Sequence, residues 1–316
     1  MRRMLFTRGL FGLLTLFVVS VVVFLATQAL PGDAARAILG REATPDRLAA
    51  LREQLHLGGS LPSQYLHWLG NLLHLDLGTS LASRQPISHV IVEPLVNSSV
   101  LMLCAAVIAT PLAIGIGTWS ALKKDRPVDH LTGVVTLVLA ALPEFVIGIL
   151  LVLLFSTGVL HVLPAVFVAT PGAAVWSNPA QLVLPALTLV LAVLPYIVRI
   201  MRATMLEVLD SEYVQQARLK GVPERTVIFR HALPNALGPV AQVVALQLAW
   251  LVGGVVIVEY LFRFPGIGFQ LVDAVTNRDV SLIQALVLAI TLFYVVVNLV
   301  ADVVTMVANP KVRTAR

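Results

Sequence analysis

The chain has 316 residues, 58% apolar and only 12% charged, with a net charge of +5 and a mean hydropathy of +0.89. Soluble domains carry about 25% charged residues, so half that share excludes an ordinary soluble globule and points to lipid. A lone cysteine, Cys104, excludes a disulfide framework, and basic residues scattered between apolar runs speak for membrane topology rather than a nucleic-acid surface.

A bilayer core takes about 20 apolar residues per helix. Six runs reach that length: 9–30, 98–122, 131–157, 182–198 (extendable to about 205), 236–258 and 282–308. Backbone groups in lipid must be satisfied within the segment, so the runs predict helices. The expectation is an all-α polytopic membrane protein with six transmembrane helices. The first run follows Arg2, Arg3 and Arg8; it is longer than a signal-peptide core and lacks well-placed small residues, so it reads as a retained helix.

Residues 31–97 read as an external segment. It opens with a turn at Leu30-Pro31-Gly32-Asp33 and continues through a polar stretch to Leu57, with Asp46, Arg47, Arg52 and Glu53 on a possible short helix. The stretch 61–77 places Tyr65 and Trp68 among leucines, the pattern of an interfacial amphipathic helix. His67 and His74 are two turns apart, too far to chelate one ion readily, and read as surface residues.

Prolines and glycines punctuate the spans: Pro111, Gly115 and Gly117 in the second, Pro143 in the third, Pro185 and Pro195 in the fourth, Gly253 and Gly254 in the fifth. Transmembrane bundles tolerate such residues where neighbours compensate, and small ones admit close helix approach. Glu144, Glu259 and Asp302 lie at or inside spans, where acids are costly and face protein or water. Glu144 and Glu259 are candidates for a translocation path, with Arg199 as a partner for one of them. For Glu259 and Asp302, near span ends, a structural ion pair or a wet interface is the leading expectation; for Glu144 both roles stay open.

The loop between the fourth and fifth spans, 205–235, is the longest charged run after residue 100. Helix one is expected over about 205–220, ended by Gly221, with Pro223 opening a second helix that stops before Pro234. That second helix, about twelve residues, makes a rod of roughly 18 Å. Lys and Arg number three at the N-terminus, three in 123–130, six in 199–235 and three in the tail. By the positive-inside rule both termini and this loop face the cytoplasm.

At these residues the chain resembles the permease subunits of ABC importers, whose cytoplasmic signature is Glu-Ala-Ala, three residues, Gly, then Leu-Pro ending thirteen positions after the Gly. Gly221, Leu233 and Pro234 keep that spacing, while Gln215, Gln216 and Ala217 stand where Glu-Ala-Ala would be. Glu212 to Gly221, Gln64 to Leu69, Asp76 to Ser80, Glu259 to Gly268 and Asn309 to Arg313 look like the dipeptide/oligopeptide/nickel branch. The resemblance implies a MetI-like fold and an external 31–97 segment packed near the pathway mouth. It makes 205–235 the coupling loop inside a five-helix core (98–308), between a first helix (1–30) and a cytoplasmic tail (309–316). By the same resemblance Gln215, Ala217, Gly221, Val222, Pro223, Arg225, Arg230, His231, Leu233, Pro234 and Asn235 dock an ATPase.

Further implied are two ATPase subunits, which bind the ATP and Mg, a second, similar permease forming a heterodimer, and an external solute-binding protein, in a bacterial cytoplasmic membrane. Membrane lipid is a partner and nucleic acid is not. The solute expected is a di- or oligopeptide, with glutathione and chelated nickel also in the branch. The chain has no phosphate-binding Gly-x-x-x-x-Gly-Lys-Ser/Thr stretch and no zinc-protease or serine-hydrolase signature. It reads as no enzyme, with no cofactor or metal of its own. The alternative is a proton-coupled secondary transporter using Glu144, although no matching halves are visible.

Overall fold

The computed structural model describes residues 2–29, 44–45, 60–168 and 172–308, with side chains described from 6 to 303. The expected turn at 30–33 and nearly all of the polar stretch to Leu57 lie outside the described residues, as does the tail from 309. The described chain is helical and contains no strand, only an isolated bridge between Thr79 and Pro86.

The helices are α1 (Arg2–Gln28), α2 (Leu61–Leu73), α3 (Ile87–Leu122), α4 (Pro127–Ala141), α5 (Glu144–Val152), α6 (Pro179–Leu209), α7 (Glu212–Leu219), α8 (Leu233–Phe262), α9 (Ile267–Thr276) and α10 (Val280–Ala308). Proline stands in the first turn of α2, α4 and α6, where its missing N–H costs no intrahelical bond. Five helices are long and apolar enough to cross a membrane: α1, α3, α6, α8 with its lead-in, and α10.

The third expected span is not one rod. Pro143 biases the residue before it away from helical geometry, and Leu142 is extended (φ −88°, ψ 130°). The chain therefore turns by 107° between α4 and the helix beyond it. A π-helical turn, Leu153–Thr157, extends α5. The other spans are longer than expected: α3 starts at Ile87 rather than Ser98, and α6 reaches Leu209.

α6 is the central post. Its most apolar window is 72% buried, against 22–39% for the other spanning helices, and it packs on α3, α4, α5 and α8. At its C-terminal half the α3 backbone comes so close that a Cβ on Gly117 would lie 2.8 Å from the Val198 carbonyl and 2.7 Å from Met201 Cβ. A second cluster joins Ile87 and Ile91 of α3, Ile267 and Ala274 of α9, and Leu282 and Leu286 of α10, with Val23 of α1. α2 lies against α1, where Phe24 meets Tyr65 and Trp68 at ring separations of 5.4 and 5.8 Å. α1 itself exposes Phe6, Leu10, Phe11, Leu13, Leu14 and Phe17, a surface suited to lipid tails.

Candidate functional site

The segment after α6 folds as a hook. Asp210 and Ser211 interrupt the helix, so the single helix expected over 205–220 is divided between the end of α6 and α7. α7 closes on Gly221, whose φ of +75° is the left-handed geometry that glycine adopts without strain. The Gly221 N–H donates to the Arg218 carbonyl (2.9 Å) and the Val222 N–H to the Ala217 carbonyl (3.2 Å), the paired bonds of a Schellman cap. Arg218 then grips Glu224 across the turn with Nη2 and Nε (2.7 and 3.1 Å).

Beyond Pro223 comes one α-turn, Glu224–Thr226, and a π-helical run, Val227–Ala232, which enters α8 without a break. The expected stop before Pro234 is therefore corrected. Pro234 sits in the first turn of α8, and Ala232 and Leu233 before it are helical (φ −85° and −55°). The rod is the foot of a spanning helix rather than a separate piece.

The expected docking residues divide by burial. Ala217, Val222 and Leu233 are half-buried and pack on the main core beside fully buried Val214, Val227 and Ala232. Gln215, Gly221, Pro223, Arg225, Arg230, Pro234 and Asn235 are exposed, and His231 is half-buried. Asn235 donates from Nδ2 to the His231 carbonyl (2.6 Å). Sequence reasoning missed three exposed apolar side chains on the hook: Leu219 (88% exposed), Phe229 (60%) and Tyr213 (45%). The signal was there, because each is out of phase with the buried Val214 and Val227.

The acids do not pair with Arg199: it is exposed, and neither Glu144 nor Glu259 nor Asp302 meets it among the described residues. Asp302 pairs instead with Arg8 of α1 (3.2 Å). Glu144 is half-buried in the first turn of α5. A further ion pair is one the sequence did not single out. Asp129 at the start of α4 accepts Nε and Nη2 of Arg202 on α6 (2.5 and 2.6 Å).

Glu259 is fully buried at the end of α8. The Ser98 hydroxyl of α3 donates to its Oε1, while the N–H groups of Gly268 and Phe269 donate to Oε2 (2.7 and 3.3 Å). Ser98 in turn accepts the Ile267 N–H (2.8 Å), and Asn97 donates to the Pro265 carbonyl (2.9 Å). A carboxylate at the N-terminal end of α9 satisfies donors that the helix itself leaves free. Phe262 and Phe264 in this turn are buried, at 1% and 0% exposure. The physical reason is a core contact: Phe264 packs edge-on against Phe167 (5.3 Å), and the Phe167 N–H bonds the Phe262 carbonyl (2.7 Å). Among the described residues no three His, Cys, Asp or Glu side chains gather as a metal cage.

Two family models cover most of the chain. Residues 113–314 match the binding-protein-dependent transport system inner membrane component, and residues 1–100 match the N-terminal region of such membrane components. Among similar proteins, the glutathione transport system permease protein GsiC of Escherichia coli strain K12 is 38% identical over 307 residues, 97% of each chain. GsiC of Pectobacterium atrosepticum is 38% identical over 309 residues, 98% of each chain. GsiC of Salmonella typhimurium strain LT2 is 38% identical over 307 residues, again 97% of each.

Proposed function

Because the chain belongs to the binding-protein-dependent transport system inner membrane components, the ABC importer permeases of the dipeptide and oligopeptide branch, we propose that it moves a small peptide-type solute inward, driven by ATPase subunits seated on residues 212–235. It is a multi-pass protein of the bacterial inner membrane. The solute proposed is glutathione or a di- or oligopeptide, delivered by an external solute-binding protein. A second, similar permease completes the pathway, both termini lie in the cytoplasm, and ATP and Mg belong to the ATPases.

The observation that carries the proposal is the hook itself. Leu219, Phe229 and Tyr213 are exposed on the same short segment that carries exposed Arg225 and Arg230. Exposed aromatic and arginine side chains on one folded segment are the residue types enriched at protein contacts. The α7 cap and the Arg218–Glu224 grip fix the shape of that surface before any partner arrives, which lowers the ordering cost of docking. Similarity to glutathione transport permeases favours a tripeptide-sized solute.

The test is reconstitution with a matching solute-binding protein and ATPases, with cysteines placed at Leu219 and Phe229 in a Cys104→Ser background. Cross-links from both positions to the ATPase, with ATP-dependent uptake of glutathione or a short peptide, are the expected result. Uptake driven by a proton gradient without ATPases would establish the secondary-transporter alternative instead.

A further inference from the structure

Asp129 is 3% exposed as a side chain and takes four hydrogen bonds from three directions. Arg202 of α6 supplies two. The Ser120 hydroxyl, in the last turn of α3, supplies a third (2.6 Å), and the Asp125 N–H in the α3–α4 turn a fourth (3.1 Å). Asp125 holds a left-handed φ of +61°, so the turn curls back onto the carboxylate. Guanidinium and carboxylate meet as planar forks, a geometry lysine does not reproduce.

This knot sits close to the hook. Arg202 lies seven residues before Leu209, about 10 Å along α6, and only Asp210 and Ser211 separate α6 from α7. One turn above the knot, Gly117 lets α3 lie directly on Val198 and Met201. α3 and α6 are thus joined by close backbone packing, and α3, α4 and α6 by an ion pair whose carboxylate is buried and costly to leave unpaired. α4 runs from there to the 107° bend before α5.

We propose that Arg202 is a positioning residue for transport: by holding Asp129 it makes the α3–α4 turn move as one body with α6 and the hook. This rests on the importer reading above. A displacement of the hook by the ATPases then reaches α4, and through the bend α5, instead of being absorbed as slippage of α6 past its neighbours. Coupling of this kind needs a contiguous element that is rigid where it must transmit.

Two measurements test it on the full complex in proteoliposomes. In the first, spin labels at Lys124→Cys and Glu207→Cys, both exposed positions, in a Cys104→Ser background, report the separation of the turn and α6. That separation stays the same between the nucleotide-free and ATP-trapped states; a shift between the two states overturns the proposal. In the second, Arg202→Gln lowers solute imported per ATP hydrolysed about fivefold or more, and Arg202→Lys recovers part of the loss. A ratio equal to wild type, with only the amount of assembled complex reduced, makes the pair merely structural and overturns the proposal. Should Arg202→Gln fail to assemble, the label distances decide alone. A wild-type complex that hydrolyses ATP without importing solute is a different outcome, and it overturns the importer reading itself.

Discussion

Glu259 and Gly266 face each other so closely that a Cβ added at Gly266 would fall on the Glu259 carboxylate. The backbone of Gly266 is ordinary extended chain (φ −104°, ψ 178°), so glycine is required there by space and not by conformation. Gly266→Ala is expected to destabilise the protein by about 1–3 kcal/mol, the usual cost of overpacking. Gly253→Ala, where a Cβ meets nothing within 4 Å, serves as the control. Thermal unfolding in detergent checks the pair; equal midpoints for the two variants would remove the close contact from the explanation.

Ser98 and Ser99 are neighbours with opposite expectations. Ser98 bridges Glu259 and the Ile267 N–H, whereas Ser99 bonds only the Leu95 carbonyl of its own helix (2.7 Å). Ser98→Ala strands two buried groups, at about 1–3 kcal/mol each, and Ser99→Ala strands none. The same melts report it, and a Ser98→Ala protein as stable as Ser99→Ala contradicts the clasp.

Gly221 tests the hook. Nothing crowds a Cβ there, so the whole effect of substitution comes from the positive φ, about 1–2 kcal/mol for an ordinary residue. Asparagine tolerates that geometry and valine does not. ATP-driven uptake is expected to fall in the order Gly, Asn, Val at position 221, with solute capture by the binding protein intact. Full uptake with Gly221→Val would detach the hook from coupling.

The two arginine–aspartate pairs differ in exposure, and so in worth. Arg8 is 56% and Asp302 26% exposed, and Arg8→Ala is expected to cost about 0–1 kcal/mol. Arg202→Gln leaves the buried Asp129 charge without its counter-ion, a loss of up to about 3–5 kcal/mol, moderated by the 35% exposure of the Arg202 side chain. Side-by-side melts should rank them in that order.

What the sequence disclosed was local. Gly221 and Pro223 declare a helix end within a few residues, and the six apolar runs declare spans by length alone. The bend before α5 was hidden because hydropathy carries no direction, and Pro143 among leucines and valines looks the same in a kinked rod as in a broken one. Arg202 and Asp129 are 73 residues apart, and nothing near Arg202 distinguished it from Arg199 three positions earlier. Glu259 was visible as an acid near a span end, expected in an ion pair or at a wet interface, yet it is buried and its partners are a serine and two backbone N–H groups, which no charge pattern can announce. The exposure of Leu219 and Phe229 was legible only in their phase against Val214 and Val227, and burial made it plain.

The π-helical run at Val227–Ala232 leaves Glu224 to Phe262 as one unbroken 39-residue beam, about 58 Å long. A beam pushed at its foot does not dilute the push. A tilt of about ten degrees carries its far tip some 10 Å sideways, and the tip is where Glu259 is buttoned to Ser98 and the start of α9. A small tilt at one end would therefore arrive at the other as a large displacement, at the clasp formed by Glu259, Ser98 and the start of α9.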